Sequence, residues 1–476
     1  MSASDYIRIL PELVLTVFGM LVMLIDPLLP EHNDRKGIGV LALIGSLLAI
    51  AATLYQSTSP GQAWFGMVQV DSFSIFFHLI VGFVVATIIL ASFEYLAVQG
   101  IRLGEYYGLI LLGAVGMMLM SSAIELVLIF IALEISSIST YILAGFRRHS
   151  AASAESSLKY FLLGSFATAF FLYGVALMFG ATGSTSIYPI AASLRAGTST
   201  LAYAGVALMF IGLGFKVASA PFHVWTPDVY EGAPAPVVAL MSTAPKAAAF
   251  AVLLRILFAA AAPGWFWIVW CSAALSMTIG NLGALVQANL KRMLAYSSIA
   301  HAGYLLCAFA AAKNIGISAA IFYAASYAVM NAGAFIVIAH FASHNERYVN
   351  VDDYSGLGRR APGLAAVLTV FLLSLIGIPI TGGFFAKFYV FSAALQADLV
   401  GLTIIGVVNS AIASYYYLRV IVVMYMREPK EDAPMVPMPF ALGVSLTAAV
   451  VVTIYLGVLP GRVLNYALQG ARDLVR

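Results

Sequence analysis

The sequence predicts an all-α polytopic membrane protein of about 14 transmembrane helices, with two inverted five-helix repeats (helices 4–8 and 9–13) and breaks in helices 7 and 12. Three observations carry that prediction. The 476 residues are 62% hydrophobic and 9% charged, where soluble domains carry about 25% charged residues. Apolar stretches of about 20 residues, the length that crosses a hydrocarbon core, follow one another with short links. Two of these stretches hold a Gly/Pro-rich interruption next to a lysine.

The stretches form one membrane domain, 1–476. Helices 1–3 (8–28, 37–56, 71–92) make an N-terminal group, residues 1–103. MSASDYIRILPEL lacks the basic start and small-residue cleavage site of a secretory signal, so helix 1 is expected to be structural. The first repeat, 104–260, holds helices 4–8 (104–121, 123–146, 156–181, 201–220, 234–260). The second, 264–425, holds helices 9–13 (264–286, 292–312, 315–342, 362–396, 399–425). Helix 14 (435–459) lies in the last part, 426–476.

The repeat is read from an echo. Ser136-Ser137-Ile138 in helix 5, with Tyr141 to Phe146 after it, matches Ser297-Ser298-Ile299 in helix 10, with Tyr304 to Phe309 after it. An offset of five helices pairs helix 7 with helix 12. Both are interrupted, by ASAPFHVWTP after Lys216 and by GIPITGG (377–383) before Lys387. Five is odd, so the two units run in opposite directions through the membrane.

Lys and Arg in the links set the orientation. Arg35, Lys36, Arg102, Arg147, Arg148, Lys291, Arg292, Arg347, Arg359, Arg360, Arg427 and Lys430 follow odd-numbered helices. The other side carries mainly Arg8, Arg195, Lys313, Arg462, Arg472 and Arg476. The positive-inside rule makes the first side cytoplasmic and places both termini outside.

The links leave no room for a soluble domain, so nucleotide, flavin and iron–sulfur sites are not expected in this chain. GLGR (356–359) is too short and misplaced for a dinucleotide fingerprint. Cys271 and Cys307 lie in apolar runs without CxxC spacing, which argues against a metal, cluster or structural disulfide.

Ionisable residues deep in the spans carry the chemistry. They are Glu134, Lys159, Lys216, Lys246 and Lys387, with His78 and His301. A charge at the bilayer centre costs at least about 2.5–3.5 kcal/mol on insertion scales, so such residues are rare. The simpler reading of each is an interhelical ion pair or a side chain snorkelling to the interface. It suits Lys159, near a helix end, as well as Arg255 and Arg419, and His78 reads as a satisfied core histidine. Three buried lysines against one evident deep carboxylate do not neutralise one another. Burial disfavours a lysine's charged form, and lysine releases a proton where arginine does not. A broken helix frees backbone groups to line a cavity, and His223 borders the break after Lys216. From Pro221, which cannot donate a backbone bond, the segment Ala218–Pro227 is expected to be irregular, wet and enclosed by protein. The residues alone point to an inverted-repeat proton or cation transporter.

APFHVWTPDVYEGAPAPVVALMSTAPKAAAF (220–250), KRMLAYSSIAHAGY (291–304) and GIPITGGFFAKFYVF (377–391) resemble subunit N of proton-pumping NADH:quinone oxidoreductase, respiratory complex I, in the antiporter-like membrane subunit family. The match runs from about helix 4 to helix 13 in the same order. Subunits L and M would show a leucine–proline–aspartate–alanine–histidine run where this chain has Trp225 to Glu231. The long lateral helix of subunit L is not expected from the residues after Pro460.

The resemblance implies roles. Glu134 matches a helix 5 glutamate that pairs with and tunes the helix 7 lysine. Lys216 matches that lysine, the proton carrier of the first half-channel. Lys246 matches the helix 8 lysine that passes protons sideways, and His301 the helix 10 position between the halves. Lys387 matches the helix 12 lysine of the second half-channel. Lys159 and His223 are further candidates. The resemblance also implies NADH, FMN, iron–sulfur clusters and quinone in other subunits, and none in this chain. The implied partners are the other membrane subunits, including related antiporter-like ones, and the lipid bilayer, with no nucleic acid. The place is the bacterial inner membrane. The alternatives are a stand-alone cation/proton antiporter of the same fold and a structural membrane spacer.

Overall fold

The computed structural model describes residues 3–30, 35–259, 265–312, 314–342, 344–429 and 438–475. Three of the basic residues used for orientation, Lys313, Lys430 and Arg476, and the first residues expected in helices 9 and 14 lie outside them. Among the described residues, thirteen helices are long and apolar enough to cross a membrane. Helix is expected there, because lipid leaves backbone N–H and C=O groups no partner except one another.

In chain order, numbered to match the expected spans, the helices are α1 Leu10–Ile25, α2 Lys36–Gln56, α3 Ser72–Val98, α4 Glu105–Ser122, α5 Leu126–Ala144 and α6 Ala151–Thr182. Span 7 is two pieces, α7a Thr200–Val217 and α7b Trp225–Gly232. Span 8 is also two, α8a Ala235–Met241 and α8b Ala244–Ala259. Then come α9 Trp265–Leu285, α10 Leu290–Ala310 and α11 Asn314–Phe341. Span 12 is α12a Pro362–Ile376 and α12b Gly382–Gln396. The chain continues through α13 Val400–Met426, α14 Phe440–Val458 and α15 Pro460–Val475. A two-stranded antiparallel hairpin, Gly61–Ala63 with Val68–Val70, joins α2 to α3.

Local chemistry accounts for the ends. Asp71 accepts from Ser74 N at 2.7 Å while Ser74 Oγ receives from Asp71 N, a reciprocal cap that starts α3. Ser150 caps α6 through Ser153 N, which is why α6 begins five residues before the apolar run suggests. The two repeats share their entry. Glu125 caps α5 and Asn289 caps α10. Each cap residue also forms an antiparallel bridge with a residue sixty-one positions later, Ser186 and Asn350.

The expected breaks are present and end alike. α7a stops at Ala218 (φ 58°) and α12a at Gly377 (φ 93°), both left-handed caps. Two expectations need correcting. The irregular stretch is 218–224; Pro227 lies in the first turn of α7b, where a missing N–H costs little. The break is enclosed at Ala218, Ser219 and Ala220, but Val224 is 71% exposed. At Ala220 both backbone groups are held by protein: the N–H donates to Ser276 Oγ and the carbonyl accepts from Ser272 Oγ–H, both at 2.7 Å. The gap in span 8, at Ser242 and Thr243, was not expected. Pro245 cannot supply an N–H to the Met241 carbonyl, and Asn331 Nδ2 donates to Ser242 Oγ at 2.8 Å there. The residues after Pro460 form α15, too polar to read as a span; Asp473 accepts from Ser72 N at 3.1 Å.

α8a is buried on every side and its approach is fixed by Glu346. Glu346 Oε1 accepts from Ala235 N–H (2.7 Å) and Tyr95 O–H (2.6 Å). Its Oε2 faces Lys291 Nζ at 2.7 Å and Arg147 Nη1 at 3.0 Å. One loop carboxylate thus ties α3, α8a, α10 and the α5–α6 link. Burial pushes this carboxyl up, but the charges of Lys291 and Arg147 and their hydrogen bonds prevail, leaving it below its ordinary 4.5.

Candidate functional site

The three lysines singled out in the sequence are all buried. Lys216, the next-to-last residue of α7a, donates to Ser137 Oγ at 2.8 Å and Tyr160 OH at 3.4 Å. Its Nζ also lies 5.8 Å and 5.6 Å from the ring centres of Tyr141 and Tyr160, within cation–π range. Lys246, in the first turn of α8b, donates to Ser298 O at 2.9 Å and Ser298 Oγ at 2.6 Å. The echoed serines of α5 and α10 therefore each receive one lysine. Lys387, on α12b, reaches back across the break to Leu375 O (3.1 Å) and Ile376 O (2.8 Å), and to Ser410 Oγ on α13 (2.8 Å). It caps the carbonyl end of α12a, where the helix dipole favours a cation.

His301 stands between the second and third lysines. Tyr327 O–H donates to Ser298 Oγ at 2.8 Å, and the Tyr327 ring lies 5.0 Å from the His301 ring. His301 Nδ1 is 2.6 Å from Tyr323 OH, and Nε2 is 3.4 Å from Tyr417 OH. Hydroxyls donate or accept, so this imidazole can hold its proton on either nitrogen without losing a partner. Beyond it, Tyr416, packed on Tyr417, donates to Asn281 Oδ1 at 3.0 Å. Asn281 Nδ2 donates to Tyr304 OH at 3.2 Å, and Lys387 Nζ lies 5.1 Å from the Tyr304 ring. Lys246 and Lys387 are thus linked by a near-continuous polar seam.

Between Lys216 and Lys246 the packing is aromatic: Tyr160 stacks on Trp225 at 4.6 Å, and Trp225 meets Tyr230 at 5.9 Å. Buried polar atoms along this half have no protein partner: Glu134 Oε1, Ser136 Oγ, Thr226 Oγ1, Tyr230 OH and Asn331 Oδ1. Buried polar groups are ordinarily satisfied, by water where protein does not reach.

The remaining candidates sit apart. No ion pair within 4.0 Å joins Glu134 to Lys216 among the described residues; the Lys216 ammonium is held by Ser137 instead. His223 is half-buried, and its Nδ1 has no partner. Lys159, its side chain 41% exposed, pairs with Glu155 and Asp228, each at 2.8 Å. Asp228 continues to Arg292 at 2.7 Å. This is the interfacial ion pairing considered for Lys159. Arg255 likewise is neutralised by Asp71, at 3.0 Å from both oxygens.

Sequence reasoning missed Ser410, Asn281 and Tyr323, Tyr327, Tyr416 and Tyr417. The serines of the echo were in view as a repeat marker, not as lysine partners.

The family described as NADH:quinone oxidoreductase/Mrp antiporter, TM, matches residues 123–413. The chain is 67% identical over 481 aligned residues to NADH-quinone oxidoreductase subunit N 2 of Koribacter versatilis (strain Ellin345), covering 99% of this chain and 98% of that protein. A chain of respiratory complex I from Thermus thermophilus, solved with bound aureothin, superposes with a TM-score of 0.83 at 38% identity, over 96% of this chain and 98% of that one. A chain of the Mrp complex from Dietzia sp. DQ12-45-1b has the same fold, with a TM-score of 0.87 at 22% identity over 100% and 98% of the two chains.

Proposed function

The chain belongs to the NADH:quinone oxidoreductase/Mrp antiporter family, within it to subunit N of NADH-quinone oxidoreductase, and from that premise we propose that it moves protons through the membrane arm of the complex along its row of buried lysines. The reading rests on one observation above the others. Lys246, His301 and Lys387 follow one another along a seam of serine, tyrosine and asparagine groups, each able to pass a hydrogen bond on. Lys216 extends the row on the other side of Lys246, across the polar atoms that protein leaves unpartnered.

Each lysine takes a proton, holds it as an ammonium on its serine, and loses it to the next station. Glu134 tunes Lys216 by charge across the intervening space. The redox groups that drive the cycle, NADH, FMN, iron–sulfur clusters and quinone, belong to other subunits; this chain contributes the proton path. It lies in the bacterial inner membrane with both termini on the outer side, which reporter fusions at either end test.

Glu134→Ala is expected to lower coupled proton pumping by about tenfold, less than the roughly hundredfold or more of a side chain that itself transfers the proton, because Glu134 acts through the charge of Lys216. Glu134→Asp, which keeps the charge, is expected to lose only a few-fold. The measurement is proton uptake by proteoliposomes carrying the assembled complex. Equal, small losses from both substitutions would remove Glu134 from the path.

A further inference from the structure

The family match begins at residue 123, and the N-terminal bundle before it holds two buried titratable groups that the lysine row does not use. Glu12 on α1 is 4% exposed and His78 on α3 is fully buried. His78 Nε2 lies 3.0 Å from Met118 O and 3.6 Å from Glu12 Oε1. His78 Nδ1 lies 3.2 Å from Gln56 Oε1. The Gln56 amide cannot turn over, because its Nε2 donates to Arg8 O. Arg8 is itself fixed on the carbonyls of Ser59, Pro60 and Gln62. Acceptors therefore face both ring nitrogens, Gln56 Oε1 at Nδ1, and Met118 O and Glu12 Oε1 at Nε2. A neutral imidazole carries one N–H and would leave one nitrogen against an acceptor. The carboxyl oxygens of Glu12 are buried without a hydrogen-bond partner. Both difficulties ease if the pair holds two protons: one on Nδ1 toward Gln56, the second either on Nε2, donated to Met118 O with Glu12 as counter-ion, or on Glu12 itself.

We propose that Glu12 and His78 form a proton-binding dyad, a station in the N-terminal bundle separate from the lysine row. Nδ1–H is permanent and the second proton is exchangeable. On uptake, a hydronium ion breaks one O–H bond and leaves as water while one N–H bond forms at Nε2, or one O–H bond at Glu12. Release reverses the step. A cavity of about 530 Å³ opens at the start of α3, lined by Ser57, which follows Gln56, and by Asp71 and Ile75, seven and three residues before His78. Through Ile75 it comes within one helical turn of His78 along α3. The charged and titratable groups around this end are Asp71 paired with Arg255, Arg8 with Asp5 before α1, Tyr188, and Asp473 and Tyr466 on α15. The neighbouring α2 and α4 present the neutral Gln56, Met118 and Ser122.

The test is pH-jump infrared difference spectroscopy on the intact purified complex, following carboxyl and imidazole bands. Wild type, Glu12→Gln, His78→Asn and the double variant are compared. Glu12→Gln is expected to move the titration of one imidazole band by about a pH unit or more, as for any group losing a nearby opposite charge. His78→Asn is expected to move a carboxyl band that the double variant lacks. If His78→Asn leaves every carboxyl band where wild type has it, or Glu12→Gln leaves the imidazole band in place, the two residues do not share a proton. Should Glu12→Gln fail to assemble, the His78→Asn spectrum alone decides between these outcomes.

Discussion

Arginine at position 387 is expected to stop proton pumping as fully as alanine does. The Lys387 ammonium spends its three N–H donors on Leu375 O, Ile376 O and Ser410 Oγ, at the carbonyl end of α12a. That setting stabilises a cation, and an arginine there would satisfy the same dipole. The guanidinium does not give up its proton at any accessible pH, whereas a buried lysine does. The two substitutions therefore separate fixed charge from proton transfer. Coupled pumping by Lys387→Arg and Lys387→Ala complexes is expected to fall by about a hundredfold, the scale at which proton-transferring side chains contribute. Full pumping by the arginine variant would make Lys387 an electrostatic prop.

The second large effect is on stability. Glu346→Ala removes the carboxylate that holds Lys291, Arg147, Tyr95 and the Ala235 N–H together. Two cations would be left buried beside one another, which costs about 3–5 kcal/mol when a buried pair is broken. Thermal unfolding of the purified complex, or the amount assembled in membranes, measures the loss. Lys291→Met added to Glu346→Ala is expected to restore part of it, since the second change removes one of the stranded charges. The pH dependence has a definite sign. Folding holds this carboxyl below its ordinary 4.5, so its contribution is complete above that value. It is lost as pH falls through the lower, folded-state value. A Glu346→Ala complex that melts with wild type would show that the node holds nothing.

The lysines were legible from sequence because a membrane makes charge conspicuous: nothing but function or pairing explains Lys216, Lys246 and Lys387 inside apolar runs. The breaks at 218 and 377 were legible for a similar reason, since Pro221 and the glycines after Ile376 interrupt otherwise uniform helices. The gap before Lys246 was not, because Pro245 sits in an alanine-rich run with no glycine beside it. The tyrosines that join the stations were hidden as well. An aromatic residue in a membrane helix usually packs, and only the fold brings Tyr323, Tyr327 and Tyr417 around His301. Glu346 escaped notice because it lies in a link whose arginine, Arg347, was read as a topology marker. Glu12 sits at the very start of its helix, where a carboxylate is unremarkable until Met118 and Gln56 close over His78.

The central claim is that protons cross this chain along the lysine row, and Lys246→Met tests it most directly. Methionine has nearly the reach of lysine but neither charge nor proton, so packing around Ser298 and Tyr327 is kept while the middle station is lost. Proton uptake is measured in proteoliposomes carrying the assembled complex and fed NADH and quinone, with assembly checked on the same sample. The account predicts pumping reduced by about a hundredfold or more. Pumping at the wild-type rate would contradict it and leave the row a structural feature of the membrane arm.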